Sequence, residues 1–130
     1  MSLAEWAFAL RWTAQDLLSR SGDDGRLTAL HMLFKAYDLG DANAAWELAV
    51  FAKENGVDDS RVDWLIHWAA NAGSVDAAMW MRDRWDISEL EKQNWERNLD
   101  AFFSDRKLEL HSPPTTDVSR VQDLIYQLCA

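Results

Sequence analysis

Residues 29–40 read Ala-Leu-His-Met-Leu-Phe-Lys-Ala-Tyr-Asp-Leu-Gly, and residues 41–56 read Asp-Ala-Asn-Ala-Ala-Trp-Glu-Leu-Ala-Val-Phe-Ala-Lys-Glu-Asn-Gly. Ala29, Leu33, Ala36 and Tyr37 fall on one stripe of a helix, and Ala44, Ala45, Leu48, Ala49 and Ala52 on one stripe of a second. Gly40 suits the left-handed residue that ends a helix, and Asp41 can accept bonds from the free amides that open the next. The stretch predicts two helices with a short turn between them, an antiparallel hairpin.

Much of it recurs. Gly40 returns as Gly73, a shift of 33 residues. Under that shift Leu33 falls on Ile66, Ala36 on Ala69, Asp41 on Ser74, Ala44 on Ala77, Ala45 on Ala78 and Trp46 on Met79. The alanines let helix backbones approach closely, and the aromatic or methionine fills the gap beside them. A hairpin of this kind cannot bury its apolar face alone, so it stacks on a neighbour.

The run Ala-x-x-x-Leu-x-x-Ala-Tyr-x-x-Gly-Asp-Ala-x-Ala-Ala-Trp-x-Leu-Ala, closing with Asn-Gly-Val at 55–57, resembles the Sel-one-like repeats, which are tetratricopeptide-type helical hairpins. Repeat one matches from Ala29 to Val57. Repeat two, from Val62 to about Trp85, keeps the Ala-x-x-x-Gly-x-x-x-Ala-Ala core. It departs where Asp63 replaces an apolar residue and where Arg82 and Asp83 crowd its second helix. The resemblance implies an all-α fold, a short α-solenoid of about seven helices with capping helices at both ends. An ordinary helical bundle with alanine-rich packing is the alternative.

Composition agrees with helices. Apolar residues make up 48% of the 130, and only two prolines and five glycines interrupt them, the prolines side by side. The expected organisation is one domain, 1–130, divided into an N-terminal helix (1–24), repeat one (25–57), repeat two (58–86) and C-terminal capping helices (87–130). Most of the eight tryptophans are expected to be core wedges, with some exposed as binding anchors. The net charge of −9 disfavours nucleic acid, because phosphate backbones repel such a surface. It is either plain solvation or steering toward a basic partner. The lone Cys129 forms neither an internal disulfide nor a metal framework. With no signal peptide and no membrane span in the sequence, a cytoplasmic location is expected.

Taken in order, helices are expected over 3–20, 26–39, 42–54, 60–72 and 75–84. Leu3, Trp6, Ala7, Leu10, Ala14, Leu17 and Leu18 form the first stripe. The run Ala4–Ala9 echoes Ala44–Ala49, so this helix can be read as the second helix of a repeat whose first is absent. Residues 21–25, Ser-Gly-Asp-Asp-Gly, read as a loop. Ser88-Glu-Leu-Glu91 is a capping box opening a sixth helix, with Leu90, Trp95, Leu99, Phe102 and Phe103 inward. It is expected to cover the end of the stack. After the break at His111-Ser-Pro-Pro-Thr-Thr116, Val118, Val121, Leu124, Ile125 and Leu128 line a seventh helix.

The histidines, His31, His67 and His111, do not stand at metal spacing, and no phosphate loop or nucleophile elbow is present in the sequence. No catalytic residue, metal or cofactor is expected. What stands out is the outer face of the leading helices. His31, Phe34, Lys35 and Asp38 fall, under the same shift, on Trp64, His67, Trp68 and Asn71. In tetratricopeptide-like stacks the leading helices line a concave groove, so the resemblance implies that these eight face a shared trough. Aromatics beside polar groups are what a protein-recognition patch needs. The alternative is that helix one or helix six covers this face.

These residues suit a non-catalytic protein-binding module. The most concrete role, by analogy with small acidic binders of this repeat class, is a bacterial immunity-type protein that neutralises a cognate toxin domain, a basic one by charge. A scaffold or adaptor of a regulatory or secretion system is the second reading. A small hydrolase or transferase with an unrecognised site is the third.

Overall fold

The computed structural model describes residues 2–20, 23–104 and 113–129. Among them are seven helices and no strand: α1 (Leu3–Arg20), α2 (Asp23–Asp38), α3 (Ala42–Glu54), α4 (Ser60–Asn71), α5 (Val75–Arg82), α6 (Glu89–Ser104) and α7 (Thr115–Cys129). None of these helices is long and apolar enough to cross a membrane. His111 and part of the loop expected at 21–25 lie outside the described residues. The rest of that loop is helical, because α2 begins at Asp23 rather than at residue 26.

The two hairpin junctions have the same local structure. Gly40 and Gly73 take positive φ, 105° and 111°. After each, an amide reaches back over the turn, Asp41 N to Ala36 O at 3.0 Å and Ser74 N to Ala69 O at 2.9 Å. Asp41 and Ser74 then cap the next helix. The Asp41 carboxylate accepts from Asn43 N and Ala44 N, and Ser74 Oγ accepts from Ala77 N. Ala36 and Ala69, like Ala44 and Ala77, are one 33-residue shift apart, so the recurrence extends to individual hydrogen bonds. The turn after α3 closes in the same way, with Gly56 at φ 82° and Val57 N bonded to Ala52 O at 2.9 Å. Asp59 caps α4 through Arg61 N.

Consecutive helices pack on one another from α1 to α6, α3 also touches α5, and α7 lies on both α2 and α4. One core cluster draws on all seven helices. Its alanines, among them Ala36, Ala45, Ala49, Ala69 and Ala78, are completely buried, as close backbone packing requires. Leu30, Leu33, Leu48 and Leu65 fill the space between them.

Three expectations need correction. On α1, Ala7, Leu10 and Ala14 are buried, but Leu3 and Trp6 are exposed. The echo of α3 in α1 does not extend to packing either: the positions matching buried Ala45, Leu48 and Ala52 are Glu5, Phe8 and Trp12, all exposed. On α6, Leu99 is buried and Trp95 and Phe102 are half-buried, whereas Leu90 in the first turn is exposed; the Phe103 side chain lies outside what the structure describes. No tryptophan is fully buried. Trp6, Trp12 and Trp85 are exposed, and the other five pack partly against the core, as suits a side chain too large to be readily enclosed.

Candidate functional site

α2 and α4 carry the eight positions expected to form a recognition face. His31, Lys35, Asp38, His67 and Asn71 are exposed, and Phe34, Trp64 and Trp68 are half-buried. The three aromatics are brought together around Tyr37, which is completely buried. The Phe34 ring lies 6.3 Å from that of Tyr37, and the Trp68 ring meets it edge-on at 5.2 Å. Trp64 Nε1 donates to Tyr37 Oη at 3.2 Å. Burial pushes the Tyr37 phenol up to about 12, against the lowering effect of the bond from Trp64. The cluster joins the two leading helices.

The helix lying over both is α7, not α1 or α6. Val121, Leu124 and Ile125 are completely buried and Leu128 nearly so. Arg61 Nη2 donates to Gln127 Oε1 at 2.5 Å, and Arg120 Nη2 to Ser60 Oγ at 2.9 Å, fastening α7 to the start of α4. α7 runs antiparallel to α2. Asp117 at its start acts on Tyr37 near the end of α2, and Arg26 near the start of α2 acts on Cys129. α2 and α4 are therefore both packed against a helix of the same chain. The five exposed polar residues remain at the surface.

A partly buried ionic group ties α1 to α3. Arg11 Nε donates to the capping carboxylate of Asp41 at 3.3 Å, and Arg11 Nη1 lies 3.9 Å from Glu47 Oε1. Gln15 donates to the same Glu47 oxygen. Burial raises the Glu47 carboxyl to about 7. Arg11 opposes this, while Asp41 and Asp76 add to it. Glu47 sits on the second helix of the hairpin among apolar residues, so its position in the sequence does not announce this role.

An open cleft of about 670 Å³ lies near the ends of α3 and α5, lined by Lys53, Asp58, Asp63, Trp80 and the turn Asp83-Arg84-Trp85-Asp86. Lys53 Nζ stands 4.7 Å from the centre of the Trp80 ring and the Arg84 guanidinium 5.3 Å from it. Arg84 also forks onto Asp86, Nε to Oδ1 at 3.0 Å and Nη2 to Oδ2 at 2.7 Å, which holds the Asp86 carboxyl below its usual range. Trp85, between the two, is 96% exposed. Sequence reasoning missed this cleft. The signal was the alternation Arg82-Asp-Arg-Trp-Asp86, which reads only as a departure from the repeat. Among the described residues no group of three or more His, Cys, Asp or Glu side chains could hold a metal ion.

No family model matches the chain, and no curated protein or solved structure matches it either.

Proposed function

We propose that this chain is a non-catalytic, cytoplasmic protein-binding module built as a short α-solenoid of two Sel-one-like hairpins between terminal helices. The observation that carries the repeat reading is the recurrence of the glycine turn, back-bond and side-chain cap at a shift of 33 residues. The binding reading is supported by His31, Lys35, Asp38, His67 and Asn71, exposed beside the Phe34–Tyr37–Trp64–Trp68 cluster, and by the net charge of −9. Most concretely, it acts as an immunity-type protein that captures a basic toxin domain, its acidic surface speeding encounter.

This role predicts a toxin-like reading frame just upstream, and the test is titration calorimetry and stopped-flow association with the domain that such a frame encodes. The expected result is a one-to-one complex whose association slows as salt rises, weakened by His67→Ala or Asp38→Lys without loss of fold. Absence of a complex with that domain refutes the immunity role. The second reading is a scaffold or adaptor, whose partner would have to dock beside α7 or displace it from α2 and α4. In that case binding is weaker, involves a peptide segment, and falls with Trp64→Ala or Trp68→Ala.

A further inference from the structure

We propose that the outer face of α1 is a self-association surface, on which a second copy of this chain docks its own α1 antiparallel to the first about a two-fold axis. The surface is separate from the eight leading-helix positions and independent of the toxin-binding reading.

α1 packs on α2 and reaches the start of α3 through Arg11, and its opposite side is uncovered. Four of the nine large apolar side chains exposed among the described residues lie on this one helix: Leu3, Trp6, Phe8 and Trp12. Helical spacing orders them. Phe8 and Trp12 stand one turn apart along the outer face, Leu3 and Trp6 edge it on the other side, and the small Ala9 and Thr13 leave a shallow groove between. Together the four expose roughly 500 Å² of apolar surface, the scale of a functional patch rather than of scattered residues. Covering it in two copies removes about 1,000 Å² from water before any flanking residue is counted, which reaches the size of a specific interface.

Charge selects the second copy. α1 carries two acids, Glu5 and Asp16, and two bases, Arg11 and Arg20, so the helix is neutral in a chain of −9 and does not repel its own kind. The charges also sit where a two-fold axis needs them. Trp12 stands at the middle of Leu3–Arg20, with Glu5 about two turns before it and Arg20 about two turns after. An antiparallel pair centred beside Trp12 brings each Glu5 to Arg20 of the other copy and seats each Trp12 in the Ala9–Thr13 groove opposite. Both charged ends are available. Glu5 has no ion partner among the described residues, and Arg20 engages Asp16 through Nε with its side chain 75% exposed.

The experiment is sedimentation velocity of the full chain over a concentration series reaching about 100 µM. Wild type is expected to move from 14.9 kDa to twice that mass and to stop there, since an isologous contact closes on itself. Trp12→Glu, which places like charges beside the axis, is expected to weaken the dimer at least about tenfold, while Trp85→Ala, which removes an exposed indole on the turn after α5, leaves it unchanged. Glu5→Arg and Arg20→Glu are each expected to weaken dimerisation alone and to restore it when the two variants are mixed, because the mixture recreates both pairs. Circular dichroism spectra matching wild type exclude unfolding as the cause. The proposal is overturned by a wild type that stays monomeric, by growth beyond a dimer, by Trp85→Ala acting as Trp12→Glu does, or by no rescue on mixing. A monomer that binds neutral phosphatidylcholine vesicles, and loses them with Trp12→Glu, would also overturn it and assign the face to a lipid surface.

Discussion

The indole N–H of Trp64 on α4 bonds to the hydroxyl of Tyr37 on α2 at 3.2 Å, joining the leading helices of the two hairpins. Tyr37 is completely enclosed, and Trp68 packs edge-on against its ring. The bond thus sits at the centre of the aromatic cluster rather than at its rim.

Removing only that hydroxyl isolates the bond. Tyr37→Phe is expected to cost about 1 kcal/mol in urea unfolding, since half-buried Trp64 can regain water. Tyr37→Ala is expected to cost about 3–5 kcal/mol through the cavity it leaves. Equal losses for the two variants would mean that the ring contributes nothing beyond its hydroxyl.

The turns give a purely conformational test. Gly73 takes φ 111° with nothing within 4 Å of an added Cβ, and Gly56 takes φ 82° with the same free space. Gly73→Ala and Gly56→Ala are each expected to destabilise by about 1–2 kcal/mol, because the penalty is backbone strain and not a clash. Denaturant midpoints check this, and unchanged midpoints would contradict it.

Helix capping separates the two junctions. Asp41→Ala removes a cap and the ion pair to Arg11, whereas Ser74→Ala removes a cap alone. The former is expected to cost more, up to about 2 kcal/mol against about 1. Pairing each variant with Arg11→Ala in a double-mutant cycle should show coupling for Asp41 only.

Glu47 predicts a pH dependence of known sign. Its carboxyl is raised in the folded chain from 4.5 to about 7, so folding favours the protonated form. Its contribution to stability is complete below the unfolded value and is lost as pH rises through the folded one. Relative to wild type, Glu47→Gln should therefore gain stability across that window, by about 1–2 kcal/mol after allowing for solvent screening. Thermal midpoints at the two ends of the window measure it, and parallel curves for the two proteins would rule it out.

Leu124 probes α7. It is completely buried on the face turned to α2 and α4, and Leu124→Ala is expected to cost about 2–5 kcal/mol. Hydrogen exchange should show α2 and α4 losing protection together. Stability equal to wild type would mean that α7 does not hold the leading helices.

The junction chemistry was legible because it is local. A glycine at the end of one helix and an Asp or Ser opening the next act on amides within five residues, so spacing along the chain predicts Gly40–Asp41 and Gly73–Ser74 without knowledge of the fold. The inward stripes of α3 and α4 were legible for the same reason, since helical period puts Leu48 beside Ala52 and Leu65 beside Ala69. The candidate face was only half legible: period separated His31 and His67 from the core, but it placed Tyr37 on a stripe without showing that three other rings converge on it.

Three matters were decided by tertiary structure alone: α7 over the leading helices, Glu47 half-buried beside Arg11, and Trp85 left in solvent. Each depends on which helix arrives beside which. α7 has an apolar stripe that would fit many grooves, and only the packing order of α1 to α6 leaves α2 and α4 as its seat. Glu47 is likewise placed beside Arg11, far away in the chain, and Trp85 is exposed because no distant element covers its turn, so the local sequence, which dictates turns and periods, carries no record of either.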